Sequence, residues 1–242
     1  MRHLALLVAL LAGQPAAAAC RDMTFESQSY TVCAVQADQD LRLFLNGPQG
    51  AYGGFTALDA DLAQRGERLG FAMNAGMFQP DLSPVGLYVE RGERLAPLVT
   101  SDGPGNFGLL PNGVFCIGDR FSVVESRSFA KTKPACRYAT QSGPMLVIGN
   151  KLHPLFKSGS DSLYIRNGVG VSADGQTAWF AISNRAVNFA SFARLFRDAL
   201  ATPNALYFDG SVSRLYAPDL GRSGAGFDIG PIVGLVLPKG DG

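Results

Sequence analysis

The sequence predicts an α+β fold: one domain built on a large mixed, mostly antiparallel β-sheet with a few flanking helices. Three observations carry that prediction. Glycine and proline number 29 and 14 in 242 residues while charged residues make up only 17%, a balance that suits many short strands and tight turns. Apolar or alternating runs of strand length recur along the chain between turn residues, whereas only two stretches have helical periodicity. Hydrophobic residues make up 47% of the chain, enough for one sizeable core, so residues 20–242 are read as a single domain.

Residues 1–19 read as an export signal. Arg2 and His3 form a small basic start, residues 4–11 are apolar, and Ala17, Ala18 and Ala19 offer a small-residue cleavage site. The apolar run is too short to span a bilayer, so no stable membrane insertion is expected. Cys20 follows at once and raises the alternative of a lipid anchor. The residues before it lack the leucine usual at such sites, which favours simple cleavage and a periplasmic or secreted location. Loss of Arg2 leaves acids and bases balanced and interspersed, without the basic footprint that a nucleic-acid partner requires. Four cysteines in an exported chain imply two disulfides, with three possible connectivities. Cys20–Cys33 and Cys116–Cys136 are expected, because each pair flanks a short local segment. There is no CxxC spacing and His153 is the only histidine beyond the signal, so neither a zinc centre nor another cofactor is expected. A nucleophile-elbow sequence for a serine triad is also missing.

In chain order, residues 31–36 and 41–45 are expected to pair as a hairpin across a polar link. Residues 56–69 form the first expected helix, with Leu58, Leu62 and Leu69 on one face and Asp59 and Asp61 in the first turn. A short apolar strand runs from Phe71 into Asn74, and residues 85–90 alternate as a half-buried strand with Glu90 on its solvent side. Residues 103–108 spell GxGxxG, but Pro104 occupies the turn and Pro111 blocks a following helix, so this is a loop and no dinucleotide site. Residues 114–117 and 120–125 read as a hairpin. Strands are then expected at 145–148, 163–165, 169–172 and 177–183. Residues 188–201 are the clearest helix, capped by Asn188 and carrying Phe189, Phe192, Leu195, Phe196 and Leu200 as a packing stripe. Residues 205–208 and 230–237 complete the strands.

Four stretches place a polar group beside an apolar strand at a glycine-containing turn. They are Asn74-Ala-Gly-Met-Phe, Gln141-Ser-Gly-Pro-Met, Arg166-Asn167-Gly, and Asp209-Gly-Ser-Val-Ser-Arg. Asp209 ends its strand as a candidate acid or base. Gly210 is expected to take positive φ, and Ser211, Ser213 and the turn amides to donate to an oxyanion or a sugar. Strand ends on one edge of a sheet can meet, so Asn74, Gln141, Arg166 and Asp209 are expected to converge.

In that order these stretches resemble the phosphodiester glycosidase family, in its short bacterial secreted branch, from about residue 71 to the end. The resemblance implies hydrolysis of a sugar-1-phosphodiester to a phosphomonoester and free sugar, on a phosphorylated carbohydrate substrate, expected to be an envelope glycan. It departs from better-known members in the last stretch, where Ser211 and Val212 stand in place of glycines and Val212 is expected to narrow the pocket. In this reading Asp209 carries the chemistry and Arg166 offers a planar fork of donors to the phosphodiester. Asn74, Gln141, Asn167, Gly210, Ser211 and Ser213 bind the substrate, and Glu90 is a weaker second carboxylate. Two other classes stay open: a non-catalytic protein that binds phosphorylated glycans, and a phosphodiesterase that cuts the P–O bond.

Overall fold

Strands that are apolar on both faces need cover on both faces, and this requirement sorts the chain into layers. The computed structural model describes residues 19–239. The expected export signal therefore lies outside the described residues except for Ala19, which begins the first strand. The fold is α+β, and its strands are divided over three main sheets, all antiparallel among the described residues.

The largest sheet has seven strands. In spatial order they are Ala19–Phe25, Gln28–Gln36, Thr177–Ser183, Asn167–Val171, Asn204–Asp209, Met145–Ile148 and the short Lys151–Leu152. A second sheet of five runs Phe121–Glu125, Gly113–Ile117, Tyr138–Ser142, Tyr88–Glu90, Glu93–Ala96. A third runs Arg222–Ser223, Leu215–Ala217, Glu67–Asn74, Ile232–Pro238, Leu41–Phe44. The hairpin expected of residues 31–36 and 41–45 is thus not formed. The first segment pairs with Thr177–Ser183 in the seven-stranded sheet and the second with Ile232–Pro238 in the third. Both segments are mostly buried and apolar, and each joins the sheet that covers it.

Alternation along one strand shows how the layers are held. Leu206 and Phe208 face a central core shared by all three sheets, while Ala205 and Tyr207 face the last helix. At the centre, Phe180 lies 5.2 Å from Phe71 and 5.7 Å from Phe115, and Phe115 lies 6.4 Å from Phe208, so one aromatic cluster joins the three sheets. The helix Phe189–Arg194 continues as a π turn over Leu195–Ala199 and covers the outer face of the seven-stranded sheet with Phe192, Leu195 and Phe196. Asn188 caps it as expected, its Oδ1 accepting from Ser191 N at 2.9 Å.

The first helix is shorter than its apolar spacing implied. It spans Phe55–Ala63 and buries Leu58 and Leu62, whereas Leu69 already lies in the next strand. Arg65 and Gly66 turn the chain, and Gly66 sits at φ 71°. Asp59 lies beyond the first turn; its Oδ1 accepts from Leu69 N at 2.8 Å and ties the helix to that strand. Residues 163–165 form no regular strand: only Tyr164 pairs, in an isolated bridge to Val187. The run expected at 85–90 is a strand only over Tyr88–Glu90.

Both disulfides connect as expected. Cys20–Cys33 joins directly opposed residues of the first hairpin, and Cys116–Cys136 staples the second sheet to the segment after the helix Ser126–Thr132. Two disulfides fit an oxidising, extracytoplasmic location. No helix among the described residues is long and apolar enough to cross a membrane.

Candidate active site at the ends of three strands

Glu67–Asn74 and Asn204–Asp209 each finish on a polar residue, and Asn167–Val171 starts on one. The first belongs to the third sheet and the other two to the seven-stranded sheet. Two sheets that face each other across an apolar core have ends that cannot pair by backbone alone. Side-chain amides bridge the gap here. Asn167 Nδ2 donates to the Asn74 carbonyl at 2.8 Å and to Asn74 Oδ1 at 3.0 Å. Asn167 Oδ1 accepts from Asp209 N at 3.1 Å and from Ser213 Oγ at 3.2 Å. Asn74 Oδ1 also accepts from Arg214 N at 3.0 Å. Both asparagines are fully buried, so this pair is the hub that sets where the Asp209 turn stands.

Asp209 is 7% exposed. Its Oδ1 accepts from the main-chain amides of Gly210 (2.6 Å), Ser211 (2.8 Å) and Val212 (3.5 Å). Those amides are therefore spent on Asp209, and the expectation that they meet a substrate oxyanion does not hold in this geometry. Oδ2 takes no hydrogen bond and the carboxylate has no ion-pair partner among the described residues. Burial pushes the carboxyl above its ordinary value, partly offset by the three amides. Such a group exchanges a proton more readily near neutrality than an exposed aspartate.

Gly210 does not have the positive φ expected of it. Glycine is required there for space, since a Cβ would stand 2.0 Å from the Tyr207 hydroxyl. That hydroxyl accepts from Arg166 Nη1 at 3.3 Å. Arg166 is itself fully buried. Its Nε donates to the Val187 carbonyl and its Nη2 to the Ser162 carbonyl, each at 2.8 Å. Its guanidinium also stacks 3.6 Å from the Phe189 ring centroid. Arg166 thus lies one layer beneath the turn, with its fork already engaged. Burial lowers its pKa from the usual value.

Gln141 does not join the cluster. Along Tyr138–Ser142, Thr140 Oγ1 donates to the Ala75 carbonyl and Ser142 Oγ to the Phe208 carbonyl, both at 2.8 Å, on the site side. Gln141 points the other way. Its Oε1 accepts from Leu87 N and Val99 N, both at 3.0 Å, and its Nε2 donates to Ser126 Oγ at 2.8 Å. It ties down the segment between those residues. Glu90 is half-buried, contrary to the solvent side expected of it, and accepts from the Tyr88 hydroxyl at 3.1 Å. No hydrogen bond among the described residues links it to Asp209.

A groove of about 330 Å³ opens over the turn. It is lined by Ile165, residues 210–214, and Ala225, Gly226 and Phe227. Ser211 is exposed at its mouth, whereas Ser213 Oγ is turned inward to the Asp209 carbonyl at 2.8 Å. Arg214 is the cation lining this groove, its guanidinium 5.2 Å from the Phe55 ring centroid and its charge partly offset by Asp228, and was given no role by sequence reasoning. Its Nε donates to the Gly224 carbonyl at 2.5 Å and its Nη1 to the Phe227 carbonyl, while Nη2 makes no hydrogen bond among the described residues. Its place five residues after Asp209 was visible, but its proximity to residues 224–227 comes from the fold. No group of three or more potential metal-ligating side chains occurs among the described residues.

Comparison with known proteins places the chain among relatives. Residues 67–226 match the phosphodiester glycosidase family. The chain is 36% identical over 200 residues to the Escherichia coli K12 protein YigE, itself uncharacterized, covering 82% of this chain and 77% of that one. In structure it is similar to the zebrafish N-acetylglucosamine-1-phosphodiester alpha-N-acetylglucosaminidase catalytic domain, auto-inhibited by its pro-peptide. The TM-score is 0.60 at 14% identity, over 89% of this chain and 81% of that one. A hypothetical protein from Synechocystis aligns with a TM-score of 0.58 at 15% identity, over 90% of this chain and 61% of that one. At those identities the structural likeness speaks for the fold.

Proposed function

We propose that this chain, which belongs to the phosphodiester glycosidase family, is an exported hydrolase that cleaves the glycosidic bond of a sugar-1-phosphodiester of the cell envelope. The observation that carries the reading is the Asp209 carboxylate. It is buried and held through one oxygen by three amides, it keeps its second oxygen uncommitted, and it stands beside a groove with a partly uncommitted arginine.

In the proposed reaction a water oxygen bonds to the anomeric carbon while the bond from that carbon to the phosphate oxygen breaks. The phosphate leaves with the electron pair. Asp209 Oδ2 takes the proton of the attacking water, and solvent later removes it. A phosphomonoester is already a good leaving group, so a second carboxylate is not needed to protonate it, which agrees with the position of Glu90 outside the cluster. Arg214 balances the charge of the phosphodiester and Ser211 meets the sugar. Asn74, Asn167, Ser213 and Gly210 act as the frame of the site. Arg166 is a positioning residue that braces Gly210 through Tyr207, and Gln141 holds a neighbouring loop.

The test is a screen of the purified chain against sugar-1-phosphodiesters, read by mass spectrometry. Free sugar with a phosphomonoester supports the proposal. Release of sugar 1-phosphate would mean P–O cleavage, and saturable binding without turnover would mean a glycan-binding protein; either replaces it.

A further inference from the structure

Leu163, Tyr164 and Ile165 are consecutive large apolar residues, and they are exposed by 53%, 51% and 44%. Phe227 is exposed by 83%. Single exposed apolar residues are ordinary, but several gathered at one groove mark a contact surface. Ile165 and Phe227 line the groove together with Arg214. Tyr164 adjoins it, since a Cβ on Gly210 would stand 3.5 Å from Tyr164 Cβ.

These walls are fixed. Tyr164 exchanges two backbone hydrogen bonds with Val187, at 3.2 and 2.8 Å, and its ring centroid lies 5.4 Å from the Arg166 guanidinium. On the other side, Arg214 holds the carbonyls of Gly224 and Phe227. The arginine that supplies the groove's positive charge therefore also sets the opposing apolar wall. A ligand that satisfies both features carries an anion at Arg214 and continues as hydrocarbon between the walls. A second sugar ring between these walls would set hydroxyls against Ile165 and Phe227, whose side chains offer them no hydrogen bond.

We infer that the group on the far side of the phosphate is a hydrocarbon chain, so that the substrate is a sugar joined through a phosphodiester to a lipid alcohol. The inference rests on the phosphodiester reading of the same groove. Cleavage as described above leaves the lipid on the phosphate, so the second product is an alkyl phosphate.

That product gives a test independent of turnover. Binding of methyl, butyl, hexyl and octyl phosphate, each below its micelle concentration, is measured by titration calorimetry on the full chain and on Phe227→Ser. Phe227 is so exposed that its replacement does not threaten folding. The expected result is tightening of about three- to fourfold per added methylene up to hexyl, with most of that dependence lost in Phe227→Ser. Three results would each overturn the inference: affinity that changes less than about twofold from methyl to octyl, an unchanged dependence in Phe227→Ser, or mannose 6-phosphate binding tighter than hexyl phosphate. Chain-length dependence without turnover of any glycosyl phosphodiester would uphold the amphiphilic ligand and remove the hydrolase reading. Turnover with flat affinity would do the reverse.

Discussion

Asn167→Ala is the sharpest test of the hub. The substitution leaves the Asn74 carbonyl and the Asp209 amide without the side-chain partners they have at 2.8 and 3.1 Å. A buried main-chain group deprived of its partner costs about 1–3 kcal/mol, so the two together predict a loss of about 2–6 kcal/mol. Ser213 Oγ adds little to the loss, because it retains the Ile165 and Asp209 carbonyls at 3.0 and 2.8 Å as acceptors. A domain of this kind has only about 5–15 kcal/mol in total, so the effect is large. The assay is urea unfolding with both disulfides intact, comparing midpoints at equal slope. Asn167→Asp provides the control of sign. It keeps the acceptor toward Asp209 but sets a second carboxylate oxygen against the two Asn74 oxygens, with no cation to balance it. The new carboxyl is therefore raised in the folded state, and the variant should regain stability as pH falls. A loss below about 1 kcal/mol for Asn167→Ala, or an aspartate variant that gains stability as pH rises, would refute the bridging role.

Four further substitutions have expected outcomes. Asp209→Asn keeps the amide-accepting oxygen and should lower turnover by about 10²–10⁴-fold. Because burial raises the Asp209 carboxyl, its ionisation costs stability as pH rises through the folded value; the asparagine variant should melt higher than wild type near pH 7 and lose that advantage toward pH 4. Near-normal turnover would take Asp209 off the catalytic list. Arg214→Lys should lower kcat/KM by about 10- to 150-fold mainly through KM, the loss of one charge-assisted contact. Arg166→Lys should instead lower stability and kcat with KM little changed, and the opposite pattern would return the phosphate to Arg166. His153 Nε2 donates to the Leu110 carbonyl at 3.1 Å and Nδ1 accepts from Leu155 N at 3.3 Å. Burial holds the imidazole below its ordinary 6.5. The unfolded chain then binds the extra proton first, so stability is lost as pH falls below about 6.5, and His153→Gln should flatten that loss in melting curves between pH 7 and 5.

Much of the fold was legible because its signals are local. Asn188 before an apolar helical stripe, the hairpin of residues 114–117 and 120–125 and the apolar run into Asp209 each involve residues a few positions apart, and propensity and pattern report on that range. Helix length was misread because Leu69 continues a helical spacing from Leu58 and Leu62 by coincidence, and only the turn at Gly66 reveals the change of element. The order of strands was not legible. Residues 31–36 and 41–45 are both apolar and both lack a local partner preference, so their sheets are chosen by which surfaces they cover.

The site divides in the same way. By itself the sequence determined which polar residues stand at strand ends, and the match of those stretches to one family followed from them. Side-chain direction was decided by the tertiary structure alone. Gln141 lies one position from Thr140 and Ser142, and a strand turns successive side chains to opposite faces, so neighbours in sequence serve different loops. Arg166 and Asn167 separate for the same reason, one beneath the turn and one within the hub. Arg214 and Phe227 meet at the groove across a glycine-rich segment with no local pattern, and only packing brings the cation and the apolar wall together.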